Sequence, residues 1–421
     1  MGHEELLDFC QRHKRLFCYG AGKYAMTVRE FLFEQKIELE RFIVSTSREQ
    51  NNIFMGLPVN GVADVLPVEN DVGIIIGVGE SKHDEIKDTL HQYGVMDYFA
   101  VDKNCFMDID SHTEYDKQWT DHDKKVCVLL YHRVCDLPLD IWGLAIKPEV
   151  FERHIRFYKE NYNILRFDED WSNVQEPSLV ITFDDGYADN LHYALPILEK
   201  YQVPATIFVS SGNIGTDKEF WWDELERIIF YNEKNEYYFR PNDKIFSLST
   251  YEEKKEACQR VRLFLKKLLP KEREDFLKGM VSELDADRLS RSINRTMNEK
   301  ELRIMASSPY ITIGGHTVTH NMLSAESKEQ QEWEIITSKK RIEEIIDNEI
   351  TVFSYPFGRD DDINEHSFEA VKKAGYKRAA TTSVGVAGKG KEPYKIPRNS
   401  MPFYQNNRDL KKQLSVIYTL L

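Results

Sequence analysis

The chain has 421 residues, carries a formal net charge of -14, and is 41% hydrophobic and 30% charged. This length predicts two domains, and the composition indicates a globular protein rather than a disordered one. The acidic balance argues against a broad nucleic-acid surface, and the lack of an 18-residue apolar run argues against a membrane-spanning helix.

The N-terminus and the cysteines bear on the compartment. The first residues, MGHEELLDFCQRHKRLF, are charged and lack the apolar core of a signal peptide, which predicts a cytoplasmic protein. The six cysteines show no CxxC pair and no regular spacing, so scattered unpaired thiols are expected.

The first hundred residues alternate predicted helices and strands. A helix over 4–14 leads into the strand RLFCYG, a glycine turn opens a second helix, and strands follow at 40–45 and 71–79. This alternation is typical of a parallel sheet with helices on both faces. We predict a Rossmann-like, doubly wound α/β domain over 1–106 and a polar linker over 107–124.

A second alternation of strands and helices begins at VCVLLYHRV and continues through the rest of the chain. Repeated strand-helix units over about 300 residues predict a barrel or a large α/β sheet, in a domain over 125–421. Residues 223–305 interrupt the rhythm with charged helical patterns such as TYEEKKEACQRVRLFLKKLL. We predict that they form a helical insertion between two strands.

Two adjacent aspartates, Asp184 and Asp185, follow the apolar strand SLVITF and precede Gly186. Consecutive strand residues point to opposite faces, but a turn at the glycine would bring both carboxylates into one pocket. The C-terminal ends of parallel strands are where α/β proteins carry their sites. A plain Asp-Asp-Gly surface turn is the alternative.

The second candidate cluster is GGHTVTH, which follows the predicted strand YITI. His316 and His320 are four residues apart, so one helical turn would place both imidazoles on one face. Catalytic zinc takes three protein ligands and keeps one position open, and Asp185 with the two histidines provides such a set. Asp184 is then left to act as general base towards a water bound to the metal.

The motifs TFDDG, HTVTH and SYPFG occur in this order and resemble those of the polysaccharide deacetylases, carbohydrate esterase family 4, with their NodB homology domain. The resemblance covers residues 125–215 and 305–400. It implies a distorted, incomplete (β/α) barrel and metal-dependent removal of N-acetyl groups from sugars. Carried over, the first motif aspartate is the base Asp184, and the metal ligands are Asp185, His316 and His320.

The resemblance also suggests groups for the oxyanion and for the leaving amine. In the family, the region of SYPFG contributes a backbone donor, which we place at Tyr355; a strand end stopped by Pro356 and Gly358 explains the motif equally. Many relatives use a Leu-x-His motif near the C-terminus as acid, and this chain departs from that pattern. His132 resembles an early histidine that acts as acid in relatives acting on bacterial exopolysaccharides, and a core histidine is the alternative.

Arginine and tryptophan candidates complete the predicted site. The family places an arginine before the proline of its third motif, where it orients the base, and residues 351–355 contain none. Arg359 and Arg398 are the candidates to replace it, with Arg398 preferred; a plain surface charge explains either. Trp221 and Trp222 are candidates for stacking on a sugar ring, with packing in the helical insertion as the alternative.

The segment YGAGKYA places Gly20, Gly22 and Ala25 between a strand and a helix in a G-x-G-x-x-A pattern. A phosphate binds well at the N-terminus of such a helix. The second strand ends in Ser-Thr-Ser instead of an acidic residue, which counts against NAD. The domain resembles small units attached to sugar-modifying enzymes, which implies a nucleotide-sugar site; an empty structural turn is the alternative.

The prediction is therefore a cytoplasmic two-domain enzyme that removes an N-acetyl group from an acetamido sugar in surface-polysaccharide or glycoconjugate synthesis. A water on the metal would attack the amide, with Asp184 as base and His132 as acid. Zinc (Zn²⁺) is the default ion, and the same donors would also hold Co²⁺, Ni²⁺ or Mn²⁺. The substrate would be nucleotide-linked, lipid-linked or an oligosaccharide, with no nucleic-acid partner, and a homo-oligomer is left open. The alternatives are an inactive sugar- or nucleotide-binding protein and an O-deacetylase or deformylase using the same site.

Overall fold

The computed structural model describes residues 2–45, 53–54, 57–67, 71–113, 125–287, 289–388, 392–401 and 407–420. The chain falls into two compact units, one formed by 1–118 with 411–421 and the other by 119–410. The last residues therefore group with the first unit, whereas the sequence placed 125–421 in one domain. Within this last segment Lys412 donates hydrogen bonds of 2.6 Å to the side chains of Thr27 and Asp110, and Leu414, Ile417 and Tyr418 are buried.

The first unit contains a mostly parallel sheet. Its described strands are β1 (Arg15–Tyr19), β2 (Arg41–Val44), β3 (Ile53–Phe54), β4 (Leu57–Gly61), β5 (Val72–Ile76) and β6 (Tyr98–Ala100). Its described helices before the linker are α1 (His3–Gln11), α2 (Lys23–Glu34), α3 (Val62–Val65), α4 (His83–Gln92) and α5 (Lys103–His112). The strand order is β3-β4-β2-β1-β5-β6, and every pairing except that of β3 with β4 is parallel. Strand β5 is buried along its whole length, as expected where helices cover both faces.

Helix α5 occupies residues 107–112, which the sequence assigned to a linker. The helix buries its own side chains Phe106 and Ile109. Asp102 caps its first turn by accepting a hydrogen bond from Cys105 N at 2.7 Å. The polar residues of this stretch are the exposed face of an amphipathic helix, which is why the segment looked structureless. The rest of the predicted linker, 114–124, lies outside the described residues.

The second unit is built on a larger parallel sheet. Its described strands are β7 (Val126–Tyr131), β8 (Arg133–Val134), β9 (Ala145–Ile146), β10 (Asn163–Leu165), β11 (Ser178–Phe183), β12 (Ala205–Val209), β13 (Glu236–Phe239), β14 (Lys244–Ser247), β15 (Ile311–Gly315), β16 (Val352–Ser354), β17 (Arg378–Ala380) and β18 (Asn399–Ser400). The remaining described helices of the chain are α6 (Pro148–Asn161), α7 (Leu195–Tyr201), α8 (Trp221–Phe230), α9 (Tyr251–Leu265), α10 (Pro270–Leu284), α11 (Glu299–Ser307), α12 (Lys328–Ile346), α13 (Glu365–Lys373) and α14 (Asn407–Leu420).

The main sheet of this unit runs in the order β17-β16-β15-β12-β11-β7-β18, with β10 beside β11 and all of these pairings parallel. Its two ends meet through an irregular segment that leads into β18. Ala379 N donates to Pro393 O at 2.8 Å, and Thr381 N donates to Ile396 O at 2.8 Å. The sheet is therefore a barrel-like α/β sheet closed by irregular backbone instead of a regular strand.

The insertion between β12 and β15 is not purely helical, which corrects the sequence prediction. It contains α8, α9 and α10, and also an antiparallel hairpin of β13 with β14. Tyr237 and Phe239 face inwards and alternate with exposed neighbours, and Phe246 packs against them from the second strand. This period of two was masked by the surrounding charged helical sequence, although Pro241 and Asn242 mark the turn.

The cysteines and the helices agree with the simplest sequence expectations. All six cysteines are buried and unpaired. Among the described residues, no helix combines the length and the apolar character that crossing a membrane requires.

Candidate metal and catalytic site

The two adjacent aspartates at the end of strand β11 differ in backbone conformation. Asp184 continues the strand, and its N–H donates to Tyr131 O at 3.1 Å. Asp185 adopts a φ of 76° and Gly186 a φ of 78°, so the chain turns sharply here. A left-handed non-glycine residue stores of order 1–3 kcal/mol of strain and often marks a functional position. Both carboxylates are buried and face His316 Nε2, at 3.9 Å from Asp184 and 3.6 Å from Asp185.

The two histidines lie on a loop and not on a helical turn, which corrects the sequence prediction. Thr317 and His320 adopt φ values of 63° and 50°, so the chain folds back after β15. The buried carboxylate of Glu334 on α12 holds this loop by accepting from two of its backbone N–H groups at 2.8 and 2.9 Å. The imidazole rings of His316 and His320 are thereby brought together, with centroids 4.8 Å apart.

Asp185, His316 and His320 converge at the carboxyl edge of the sheet. Each turns one ligand-type atom inwards, and these atoms lie within 4.8 Å of one another. Asp185 Oδ1 is 3.6 Å from His316 Nε2 and 3.3 Å from His320 Nε2, yet it forms no hydrogen bond with any described residue. A buried carboxylate oxygen without a partner is costly, so this donor set fits a divalent cation held among the three groups.

The surroundings keep both imidazoles in the metal-binding form. Burial lowers the pKa of His320 to about 3, and burial lowers the pKa of His316 as well. His316 Nδ1 donates to Ser354 O at 2.7 Å, which leaves the lone pair of Nε2 facing the cluster. The rings of Trp222 and Phe357 pack on His320 at centroid distances of 4.6 and 4.9 Å. Neutral, oriented imidazoles are suitable metal ligands.

Arg398, from the segment that leads into β18, forms a bidentate ion pair with Asp184. Its terminal nitrogens lie 2.7 Å from Asp184 Oδ1 and 2.7 Å from Oδ2, and both side chains are buried. Burial alone would raise the pKa of Asp184, but the charge of Arg398 outweighs it and holds this pKa well below its usual range. Arg359, the other arginine that the sequence offered, is exposed. Asp184 is therefore ionised and fixed in orientation.

His132 follows β7 next to the aspartate pair, because Tyr131 is in register with Phe183 on β11. Burial lowers the pKa of His132, and the charges of Asp185 and Asp184 oppose this lowering. The structure thus brings His132 into the electrostatic field of both carboxylates.

The segment after the aspartates also holds His132 in place. Asn190 Nδ2 donates to His132 O at 2.9 Å. Asp189 forms a buried ion pair with Arg133 at 2.8 Å and accepts from Val134 N at 2.9 Å. One stretch of chain therefore supplies both aspartates and fixes the backbone that carries the candidate acid, a function that no sequence motif had suggested for Asp189 or Asn190.

Tyr355 does not offer the backbone donor expected of it. Its N–H donates to Ala380 O at 3.1 Å, continuing the pairing of β16 with β17. Phe357, two residues further on, has left the strand with a φ of 58°, and its ring contacts His320. No described residue accepts a hydrogen bond from Phe357 N–H. The candidate donor therefore moves from Tyr355 to Phe357, because strand pairing ends between them.

Trp221 and Trp222 are buried beside the site and do not present open faces to a sugar, which corrects the prediction that they stack on a sugar ring. Trp222 Nε1 donates to Tyr187 Oη at 2.9 Å while its ring packs on His320. Trp221 lies against the guanidinium of Arg273, 4.9 Å from the ring centroid. The two tryptophans are 7% and 6% exposed; Trp222 packs on His320, and Trp221 packs on Trp222 with ring centroids 5.5 Å apart.

In the first unit, packing explains two of the three small residues of the glycine turn, Gly20 and Ala25, whereas a Cβ on Gly22 would meet nothing within 4 Å. A Cβ on Gly20, whose φ is 119°, would lie 2.6 Å from Val78 and 2.8 Å from Gly77 O. Gly22 precedes α2 as its N-cap, and Ala25 is fully buried. These positions are consistent with a structural turn as well as with a phosphate site, so nucleotide binding stays a prediction.

Fold and site together define a parallel α/β protein whose buried Asp-His-His cluster and Arg-paired aspartate meet at the carboxyl edge of the sheet. Residues 172–231 and 288–379, which lie within the second unit, match the family model "Polysaccharide deacetylase". The Bacillus subtilis (strain 168) protein "Putative polysaccharide deacetylase YxkH" is 24% identical over 286 residues, covering 66% of this chain and 72% of that protein. The second unit is therefore similar to polysaccharide deacetylases over these residues.

Two solved structures are also similar. The Streptococcus pyogenes deacetylase PplD, solved in complex with acetate, is 17% identical with a TM-score of 0.45, covering 69% of this chain and 98% of that chain. BC0361, a polysaccharide deacetylase from Bacillus cereus, is 20% identical with a TM-score of 0.46, covering 69% of each chain.

Proposed function

We propose that the second unit is a metal-dependent deacetylase that hydrolyses the acetamide of an N-acetylated sugar. The observation that carries this proposal is the Asp-His-His cluster beside an aspartate that Arg398 keeps ionised. A carboxylate that is already paired with an arginine is not needed as a metal ligand, so Asp184 remains available for proton transfer. The family match and the name of the Bacillus subtilis relative support the choice of an acetylated polysaccharide-type substrate.

Asp185, His316 and His320 would hold the metal. A divalent ion bound there would polarise the acetamide carbonyl and favour deprotonation of water. Zinc is the default, since one carboxylate and two imidazoles are ligands it commonly takes, and cobalt, nickel and manganese remain candidates.

The proton transfers are assigned to Asp184 and His132. Asp184 accepts a proton from the attacking water, and its orientation is fixed by the two bonds to Arg398. His132 delivers a proton to the sugar nitrogen as the carbon–nitrogen bond breaks, so that acetate and a free amine leave. The lowered pKa of His132, caused by burial, makes its protonated form a stronger acid towards this nitrogen.

The developing oxyanion needs a donor besides the metal. Phe357 N–H is assigned this function, since the chain has left the strand at this residue and no described residue accepts from it. A preorganised backbone donor of this kind typically contributes about 10²–10³ in rate. The N–H of Tyr355 is used in strand pairing and does not take part in the reaction.

The linkage of the substrate sugar is part of the proposal. We favour a nucleotide-linked or lipid-linked acetamido sugar over a finished polymer, on the strength of the glycine turn at Gly20 and Gly22. Nucleotide binding at that turn and the cytoplasmic location remain sequence predictions. The family match alone would suit a polymer equally well.

Acetate release from a substrate panel tests the proposal. The full chain, loaded separately with zinc, cobalt, nickel or manganese, is given chitotetraose, UDP-N-acetylglucosamine and an O-acetylated sugar. We expect metal-dependent acetate from at least one N-acetylated substrate and none after Asp185→Asn. His366→Ala, which removes an exposed histidine on α13, is the matched control and should keep full activity. Metal bound at the cluster with no acetate from any substrate would refute the proposal.

A further inference from the structure

The insertion contributes side chains to the surroundings of the metal-ligand cluster. The family match stops at residue 231 and resumes at 288, so helix α9 and its neighbours lie outside the matched segments. Arg273 of α10 donates to Asn321 Oδ1 at 2.7 Å, directly after the ligand His320. The unmatched segment of the chain therefore contacts the residues around the site.

Lys266, which follows α9 directly, connects the insertion to the cluster. Its ammonium lies 4.4 Å from the ring centroid of Phe357, and that ring lies 4.9 Å from the ring of His320. Lys266 also pairs with the buried carboxylate of Asp362. The charge of Lys266 is therefore compensated within the protein, and its contacts fix the position of α9 next to the site.

Arg262 lies one helical turn before Lys266, about 6 Å along the helix axis. Its guanidinium is 5.6 Å from the ring centroid of Trp142. Arg262 Nε and Trp142 Nε1 are both buried, and neither donates a hydrogen bond to any described residue. Buried N–H donors without an acceptor are costly unless a ligand supplies oxygen atoms.

The charge of a second arginine, Arg359, also reaches Arg262. Burial lowers the pKa of Arg262, and the positive charge of Arg359 lowers it further. Within the described parts of the chain, neither guanidinium forms an ion pair with a carboxylate; Asp362, the acid whose charge reaches Arg262, is already paired with Lys266. The two positive charges repel each other, and an anion bound by both guanidinium groups would remove that repulsion.

We propose that Arg262, Arg359 and Trp142 form a subsite for an anionic group of the substrate, a phosphate or a carboxylate, next to the acetamide that is hydrolysed. The inference rests on the proposed deacetylase function and names its substrate class as an anionic acetamido sugar. Guanidinium groups bind both kinds of anion through paired hydrogen bonds, and the indole ring of Trp142 provides a flat apolar wall for the adjoining sugar.

The first test compares substrates that differ in charge. UDP-N-acetylglucosamine carries a diphosphate, a hyaluronan tetrasaccharide carries carboxylates, and chitotetraose is neutral. We expect Arg262→Ala and Arg359→Ala each to lower the ratio of kcat/KM for an anionic substrate to that for chitotetraose about tenfold or more. A larger loss for the diphosphate or for the uronate identifies the anion. An unchanged ratio with all three substrates would overturn the proposal.

The control and an independent binding measurement separate this inference from the deacetylase proposal. Arg260→Ala, on the same helix, removes an exposed arginine that pairs with Glu256, and it should leave the ratio unchanged. Titration calorimetry with inorganic pyrophosphate needs no turnover; we expect binding to the wild type and at least tenfold weaker binding to Arg262→Ala. Equal binding to both would overturn the subsite. Arginine-dependent binding without any acetate release would keep the subsite and refute the deacetylase function.

Discussion

Replacing Arg398 with methionine tests how the candidate base is held. Arg398 donates five hydrogen bonds, two of them to Asp184 at 2.7 Å and the others to Ser354, Thr381 and Thr182. Methionine keeps much of the volume and removes the charge, so Asp184 is left as a buried carboxylate without its cation. Breaking a buried ion pair in this way typically costs about 3–5 kcal/mol of the free energy of unfolding.

The loss of free energy of unfolding can be measured in the full chain with a signal that comes from the second unit. All six tryptophans lie between positions 119 and 333, so tryptophan fluorescence during urea denaturation reports on that unit. The experiment is run with a chelator present, so that metal binding does not contribute to stability. Arg359→Met is the matched control, because Arg359 is the other arginine candidate in the sequence and is exposed. It should change the free energy of unfolding by less than about 0.5 kcal/mol.

A double variant separates the charge effect from the loss of packing. If the orphaned carboxylate causes the damage, Arg398→Met with Asp184→Asn should be more stable than Arg398→Met alone, by about 1–3 kcal/mol. The reasoning is refuted if Arg398→Met costs less than about 1 kcal/mol, or if the second substitution adds its own cost instead of relieving the first.

Further predictions concern the reaction, the aromatic wall and the thiols. Asp184→Asn should lower acetate release about 10²–10⁴-fold while metal content by elemental analysis stays at the wild-type level; retained activity would remove Asp184 as base. His132→Ala should lose a comparable factor with an acetamide but keep most of its rate with 4-nitrophenyl acetate, whose leaving group needs no proton; equal losses would remove His132 as acid. Trp222→Ala should cost about 3–5 kcal/mol in urea denaturation and weaken zinc binding, because His320 loses the ring that supports it; unchanged zinc affinity would contradict this. An aromatic disulfide reagent should label no thiol in the native chain and six after denaturation, and rapid native labelling would contradict the burial of the cysteines.

The sequence located the candidate metal-ligand side chains because their signals are local. Asp184 and Asp185 follow an apolar strand, and His316 and His320 follow another, so sheet topology alone brings them to one edge. The backbone that carries the histidines differs from the sequence prediction. Their spacing predicts a helical turn, whereas a left-handed Thr317 brings the two rings together, and the residue type does not indicate that conformation.

Other features depended on contacts between distant parts of the chain. Arg398 is one of two arginine candidates in the sequence, and only the fold of the segment before β18 brings it to Asp184. The family resemblance places a backbone donor in the SYPFG region, at Tyr355, whereas the position at which strand pairing ends decides which N–H is free, and that position favours Phe357.

The insertion was the least predictable part of the second unit. Its charged helical composition suggests a solvated surface, and no periodicity indicates that Lys266 and Arg273 contact the neighbours of His320. Their contacts with Phe357 and Trp221 arise from tertiary packing alone. The hairpin of β13 and β14 was missed for the same reason, because a short alternating pattern is weak evidence beside long charged helices.

A crystal of the zinc-loaded chain, with anomalous diffraction measured at the zinc edge, tests the central claim most directly. The account predicts a strong peak within coordination distance of Asp185, His316 and His320, about 2.0–2.2 Å from each ligand atom, and no ligand bond from Asp184. A peak bound elsewhere, or zinc coordinated by Asp184 while Arg398 swings away, would contradict the assignment of one aspartate to the metal and the other to the proton.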